Sequence, residues 1–562
     1  MLTCWGEKLD KNNILPEYPR PQMRRASYIN LNGQWDYAFT KAGEKQPESW
    51  SGKILVPFSP ECELSGVGRA LEPDEYLWYR RDWQRPEHNG RVILHFGAVD
   101  QSCTVYINGL RAYRHSGGYL PFEFDATGFL QKDVNEISVS VRDLSDTSWH
   151  SRGKQRTKRG GIWYTRQSGI WQTVWAECVP LDCIKRLRIT PDFANACVDI
   201  SAETIGDRRG EVIFGGSSYP LPAHIELPGF EAWSPENPKL YDFSVRYGED
   251  EVQSYFAMRK FSVENDASGV KRLFLNGKPY FHNGLLDQGY WSDGMYTAPS
   301  DEALIFDIQT AKDMGFNMLR KHIKIEPLRW YYHCDRLGML VWQDMANGGG
   351  EYNPVIISAP LVTGIHLDDR QHKLFARSEH EGRVQYELEL TEMIELLYNC
   401  PCIAMWVPFN EGWGQFDAKR IAEKVAQLDP TRTIDHASGW HDQKCGQTKS
   451  LHVYFKKYVF KPDKLGRAVL LSEFGGYNLR IDGHSFSDTD FGYKRFKSAR
   501  ELEKALGKLY SGQIRPAYRL GLAATVYTQL TDVEDEVNGL ITYDRKVVKL
   551  DPNAVKIIIN VE

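Results

Sequence analysis

A chain of 562 residues, 42% hydrophobic and 25% charged, carries enough apolar material for several cores, roughly three or four domains at about 150 residues each. Its 74 acidic and 69 basic residues leave a net charge of -5, which excludes a disordered polyelectrolyte and supplies neither a basic nucleic-acid groove nor a polybasic membrane patch. The expected partner is a small, roughly neutral molecule, with no nucleic acid and no membrane.

The opening MLTCWGEKLDKNN lacks the apolar core of a signal peptide, and no later run is long and apolar enough to cross a bilayer. The expected location is therefore the cytoplasm, although a leader already removed would leave no trace. Ten cysteines show no framework spacing, and Cys400-Pro401-Cys402 is too tight for a C-x2-C metal pair. They read as reduced, mostly structural thiols, and no metal site is assigned.

Residues 1–180 read as an antiparallel β-sandwich. Val92, Leu94 and Phe96 alternate, as do Ile137, Val139 and Val141, and Asn108-Gly109 suits a tight hairpin. A smaller β-region over 181–262 closes on WSPENPKLYDFSVRYG and reads as an immunoglobulin-like sandwich. After residue 263 the rhythm changes. Ser300 caps a helix that Gly315 ends before FNMLRKH, and a second helix opens at Pro327 and stops at Gly338 before MLVWQD. Further helices lead to IAMWVPFNE and TIDHASGW, then SLHVYF, AVLLSEFGG and LAATVYTQL follow. With LFLNGKPYFHNG as the first, these give eight apolar strands, which predicts a (β/α)8 TIM barrel over 263–562.

On this barrel, functional groups gather where strands end. Glu411 follows the fourth strand and Glu473 ends the seventh, so two carboxylates meet in one cleft, the requirement for breaking a glycosidic bond by an acid and a nucleophile. That chemistry needs Glu411 raised in pKa and Glu473 ionised. Asn410 offers an amide to a sugar 2-hydroxyl. Taken singly, each has a plainer reading: a glutamate as partner for a cation, Asn410 as a strand-end cap. Asp287, Gln288, Tyr290 and Trp291 after the first strand, Asp344 after the third, and Trp440, His441 and Asp442 after the fifth would line the same mouth, unless they are ordinary loop residues. The glycine-rich segment from Gly348 to about Glu381 would be its lid or wall.

SGIWQTVWAE, FNEGWGQF and LLSEFGG, in that order, resemble glycoside hydrolase family 2, the group of β-galactosidases, β-glucuronidases and β-mannosidases, over almost the whole chain. The resemblance implies a jelly-roll, sugar-binding-like sandwich, an immunoglobulin-like domain and a catalytic barrel acting as a retaining exo-β-glycosidase. It implies Glu411 as acid/base and Glu473 as nucleophile. Arg320 resembles an arginine near the nucleophile, with an ordinary barrel salt bridge as the alternative. His322 lies nearer to Arg320 than the family's usual histidine. Tyr454 matches an aromatic near the nucleophile, or else is a core tyrosine, and Tyr527 stands where relatives often have a tryptophan platform.

The family's β-glucuronidases meet the sugar acid through Asn-x-Lys before a GIFTRDRK-like stretch. Here the text is EVNGLITYDRK, without that lysine. Lys546, Arg320 or Lys321 are the remaining cations for a carboxylate, and the departure favours a neutral hexose, β-galactoside ahead of β-glucuronide. A catalytically inactive carbohydrate-binding protein would have lost a carboxylate, and both are present. An oxidoreductase or metal hydrolase would need phosphate-cradling glycines or a His/Asp ligand set. No cofactor is required; a divalent cation of the kind some β-galactosidases use, a flavin bound away from the catalytic pair, and a homo-oligomer all stay open.

Overall fold

The computed structural model describes residues 1–561. Its first core lies between two antiparallel sheets. One has the order Tyr28–Asn30, Val174–Val179, Arg91–Phe96, Phe122–Asp125; the other Gly52–Val56, Gly33–Lys41, Glu75–Gln84, Val134–Arg142, Ser102–Ile107, Leu110–Ser116. The alternation seen in the sequence is the alternation of burial, with Val92, Leu94, Phe96, Ile137, Val139 and Val141 packed around Trp35 and Leu77. Asn108 and Gly109 take φ of 51° and 76°, the left-handed pair that lets two residues reverse the chain between the last two strands.

The second sandwich sets Cys183–Asp192, Cys197–Ile205 and Ala223–Glu226 against Ser217–Pro220, Gly210–Phe214, Tyr241–Tyr247 and Asp250–Phe256. Three strands facing four is an immunoglobulin-like arrangement. Arg25 ties the sandwiches together, pairing at 2.8 Å with Glu177 of one and at 2.8 Å with Asp250 of the other.

Eight parallel strands follow: β1 (His282–Asp287), β2 (Met318–Lys321), β3 (Leu340–Asp344), β4 (Ile403–Val407), β5 (Thr433–Ile434), β6 (Thr448–Val453), β7 (Ala468–Gly475) and β8 (Leu522–Thr528). They pair in the order β5-β4-β3-β2-β1-β8-β7-β6, a barrel closed everywhere except between β5 and β6. Side chains span that gap: Thr448 Oγ1 donates to the Ile434 carbonyl at 3.0 Å and Ser450 to Asp435. Six of the strands are buried along their whole length, because the barrel interior covers one face and helices the other, while β5 and β6 at the open seam carry half-buried residues.

The first strand needs a correction. Much of LFLNGKPYFHNG forms a separate antiparallel sheet of Phe261–Asn265, Lys271–Leu275 and Lys278–Pro279. Asn276 and Gly277, at φ of 54° and 76°, turn the chain back before it can enter the barrel. Arg272 then donates to the Tyr518 and Leu522 carbonyls at 2.8 and 3.0 Å, so this sheet seals the barrel end where β8 begins.

Among the helices, α1 (Asp301–Asp313) is capped by Ser300, whose hydroxyl accepts from the Ala303 amide at 3.3 Å. Gly338, at φ 74°, ends α2 (Leu328–Leu337). α3 (His380–Leu397) starts earlier than its apolar pattern suggests, and α4 (Ala418–Leu428) and α5 (Ala499–Leu509) complete the long helices. All ten cysteines are free thiols, and no described helix is long and apolar enough to cross a membrane.

Candidate active site

Beyond the end of β4 the chain runs beside the segment after β5: the Ser438 amide donates to the Phe409 carbonyl and the Glu411 amide to that of Ser438, each at 2.8 Å. Glu411 then takes φ of 54°, a left-handed conformation that costs a side-chain-bearing residue about 1–3 kcal/mol. Gly412 and Gly414 continue the turn, and a Cβ at Gly414 would stand 2.0 Å from the Gly348 carbonyl oxygen. The turn brings the Glu411 side chain to β6, where its Oε1 lies 2.7 Å from His452 Nδ1, while Trp413 Nε1 donates to Oε2 at 3.2 Å.

Glu473 arrives from β7 through an irregularity. Leu451 pairs with Leu471 but His452 with Glu473, so Ser472 is an extra residue that re-aims the glutamate. Arg320 Nη1 donates to Glu473 Oε1 at 3.1 Å, and the Tyr454 hydroxyl donates to Oε2. One oxygen of Glu411, one of Glu473 and a ring nitrogen of His452 all lie within 4.8 Å of one another. Such a group has the ligand types for a metal, but the Glu411–His452 hydrogen bond and the Glu473–Arg320 ion pair already satisfy these atoms.

Arg320 is fully buried and organises the floor. It holds Asp344 through Nε at 3.0 Å and Nη2 at 3.0 Å, and donates to Asn410 Oδ1 at 2.8 Å. With its oxygen taken, Asn410 keeps its amide nitrogen without a protein partner among the described residues. His322 Nδ1 bonds Asp344 Oδ2 at 2.8 Å, which leaves Nε2 without a hydrogen-bond partner among the described residues. Burial pushes the His322 ring well below the usual histidine range.

Burial also pushes the Glu411 carboxyl up, with the Lys154 charge, the Trp413 N–H and Arg320 opposing. Burial raises Glu473 as well; its neighbour Glu411 adds to this, and His452, Arg320 and the Tyr454 hydroxyl oppose. Two acids this close share one proton. The contact ion pair with Arg320 leaves it on Glu411. His452 supplies a place for it: burial takes that ring down to about 4, so it is neutral at pH 7. Ser472 donates to the Leu451 carbonyl at 3.4 Å and Ser438 donates to Ser472 at 2.9 Å, so the Ser438 oxygen, 3.2 Å from His452 Nε2, is left to accept. The network thus assigns the ring proton to Nε2 and makes Nδ1 the acceptor for protonated Glu411.

Several residues expected to meet the sugar stand elsewhere. Asp287 pairs with Lys321 at 2.7 Å in a buried cluster, and Trp291 packs on Trp5 with the Arg545 guanidinium 4.1 Å from its ring. Tyr527 is fully buried against Phe474 and Tyr477 and presents no face to a sugar. Asp344 lies behind Arg320 and His322 rather than in the cleft. Trp440 does border the mouth with Trp413, Trp163 and Tyr352, and its indole N–H is buried without a partner. His441 instead pins the wall after β3, accepting from the Leu367 amide at 3.1 Å and bonding the Ile357 carbonyl at 2.9 Å; Asp442 pairs with Arg467 at 2.7 Å. Sequence reasoning missed His452, although strand alternation puts it on the same face as Tyr454. It also missed Lys154 and Trp163, which reach the mouth from the first sandwich and carry no barrel signal.

Residues 73–176 match the family model described as "Glycosyl hydrolases family 2, sugar binding domain", and residues 268–469 match "Glycosyl hydrolases family 2, TIM barrel domain". A "Putative beta-glucuronidase" of Formosa agariphila is 24% identical over 69% of this chain and 46% of its own length. A "Beta-galactosidase" of Clostridium acetobutylicum is 21% identical over 72% of this chain and 49% of its own. The chain thus spans about half the length of these curated relatives. The solved structure of a β-D-glucuronidase from Dictyoglomus thermophilum superposes with a TM-score of 0.74 at 18% identity, covering 96% of this chain and 98% of that one.

Proposed function

We propose that this chain, which belongs to glycoside hydrolase family 2, is a retaining exo-β-glycosidase that acts on a terminal sugar by double displacement. The observation that carries the reading is the placement of one oxygen each of Glu411 and Glu473 within 4.8 Å, close to the separation of about 5–5.5 Å between carboxyl groups in retaining sites and short of the roughly 6.5–9.5 Å that an inverting water needs.

Glu473, held as the anion by Arg320 and Tyr454, attacks the anomeric carbon while Glu411 passes its proton to the leaving oxygen. A glycosyl ester on Glu473 and a free alcohol result. Glu411, now a carboxylate, takes a proton from water, the hydroxide attacks the same carbon, and the sugar leaves in its original configuration. The Asn410 amide nitrogen faces the 2-hydroxyl, a contact that strengthens in the oxocarbenium-like transition state.

Sequence reading alone favours a β-galactoside. We favour a β-glucuronide instead, because the relatives named for glucuronides supply the better support and because a family lysine absent from one loop leaves other loops able to provide a cation. Proton NMR of the first product from an aryl β-glucuronide tests the reaction: the β-anomer is expected, and an α-anomer overturns retention. Comparing kcat/KM across aryl β-glucuronide, galacturonide, galactoside and glucoside tests the sugar, with the glucuronide expected first.

A further inference from the structure

The three cations that the sequence leaves for a sugar carboxylate are all occupied. Lys546 pairs with Glu7 at the surface, Lys321 with Asp287 and Glu326 in the interior, and Arg320 with Asp344 and Glu473. Lys549, near the position of the absent motif, is bound to Asp532 at 2.7 Å. A different cation is free. Lys154 belongs to the sandwich loop that crosses to the barrel mouth, where Ser151 bridges to Gly348 and Arg152 donates to the Gly349 and Gly350 carbonyls. It is 8% exposed, yet it makes no ion pair and no side-chain hydrogen bond among the described residues.

Its surroundings place it over the catalytic acid. The Lys154 ammonium lies 5.8 Å from the Trp163 ring, Trp163 meets Trp413 edge-on at 5.1 Å, and Trp413 donates to Glu411. Among side-chain charges acting on Glu411, that of Lys154 comes first. Its stem is covered while no protein carboxylate meets its ammonium, so a ligand carboxylate in the mouth is the counter-ion that completes the pair. Gly153 fixes the approach: it takes φ of 60°, and a Cβ there would fall 2.9 Å from the Ile323 carbonyl oxygen, so the loop presses on the chain just after β2.

We infer that Lys154, contributed by the N-terminal sandwich, is the specificity-determining cation that binds the carboxylate of a uronic-acid glycone, taking the place of the lysine absent from the barrel loop before Gly539. The same loop's Arg156 stacks on Trp163 at 4.6 Å with Asp146 3.6 Å away, and Arg159 pairs with Asp535 at 2.9 Å, so Lys154 is the uncommitted cation beside the aromatic rings of the mouth. This rests on the glycosidase reading, and the test separates the two.

The measurement is the ratio of kcat/KM for aryl β-glucuronide to that for aryl β-glucoside, in the wild type, Lys154→Gln and Lys154→Arg. Loss of a buried ionic partner predicts that Lys154→Gln lowers this ratio by about 100-fold or more, with Lys154→Arg in between. A ratio within threefold of wild type, or a wild type that prefers the glucoside, overturns the inference while leaving a glycosidase. Where the wild type hydrolyses none of the aryl β-glucuronide, glucoside, galacturonide and galactoside, the glycosidase reading falls, and calorimetric binding of D-glucuronate against D-glucose still decides the lysine. Glucuronate binding lost in Lys154→Gln supports it, and equal binding in both proteins overturns it.

Discussion

Two clusters of buried charge sit side by side in this barrel and behave in opposite ways. In the first, Lys321 bridges Asp287 and Glu326 at 2.7 and 2.8 Å, and Lys324 donates to Glu326 at 2.9 Å and to the Gly289 and Tyr296 carbonyls at 2.6 and 2.9 Å. Every ammonium there has its partners, and Trp330 covers Lys321 with its ring 4.2 Å away. In the second, Arg320 is saturated, but Glu411 and Glu473 share one proton, and the Asn410 amide nitrogen, His322 Nε2 and Lys154 have no partner among the described residues. The closed cluster holds the fold; the open one is unfinished until a ligand arrives. Burial and residue type are the same in both, so what separates structure from function here is whether the partners are complete.

Breaking each cluster should give opposite phenotypes. Glu473→Ala removes the nucleophile and should lower kcat by about 10,000-fold or more, with the thermal midpoint changed little because Arg320 keeps Asp344 as its counter-ion; a loss below tenfold in the turnover assay would contradict the assignment. Lys321→Met in the closed cluster should instead destabilise by about 3–5 kcal/mol, since it strands the buried Asp287 and leaves Glu326 with Lys324 alone, while kcat/KM per folded molecule stays within about threefold. Denaturant titration and active-site-normalised kinetics read the two separately.

Smaller changes sharpen the open cluster. His452→Phe takes away the acceptor for the Glu411 proton, so hydrolysis of an unactivated alkyl glycoside should fall by about 10–100-fold, whereas a dinitrophenyl glycoside, whose leaving group needs no acid, should be affected far less. Equal losses on both substrates would show that His452 acts on Glu473 instead. The smallest effect is in pH. The Lys154 ammonium favours the carboxylate form of Glu411; removing it raises that pKa, so the acid stays protonated to higher pH. The alkaline limb of kcat/KM for an aryl β-glucoside should move upward in Lys154→Gln, by less than about one unit. A downward move would mean that Lys154 does not act on the acid.

The closed cluster also explains where sequence reading failed. Asp287 and Glu411 both follow apolar strands and look alike in a string of letters; only the fold reveals that Lys321 reaches Asp287 while no cation touches Glu411. The meeting of Glu411 and Glu473 is legible because strand ends on a barrel converge by geometry, and the strands themselves because their apolar runs are buried on both faces. Tyr527 was misplaced for a register reason: it pairs with Phe474, not with Glu473, and so faces the helices rather than the axis. Lys154 was invisible for a deeper one. Glu411 and His322, the groups its charge acts on, lie more than 150 residues away, and no local spacing encodes a contact between a sandwich loop and a barrel mouth.

The proposed reaction turns on which carboxylate bonds to the sugar. A 2-deoxy-2-fluoroglycosyl fluoride of the sugar the enzyme turns over fastest should slow breakdown of the glycosyl ester enough to trap it, and peptide mapping by mass spectrometry should place the label on Glu473. A label on Glu411, or hydrolysis of the fluoride with no covalent adduct at either residue, would contradict it.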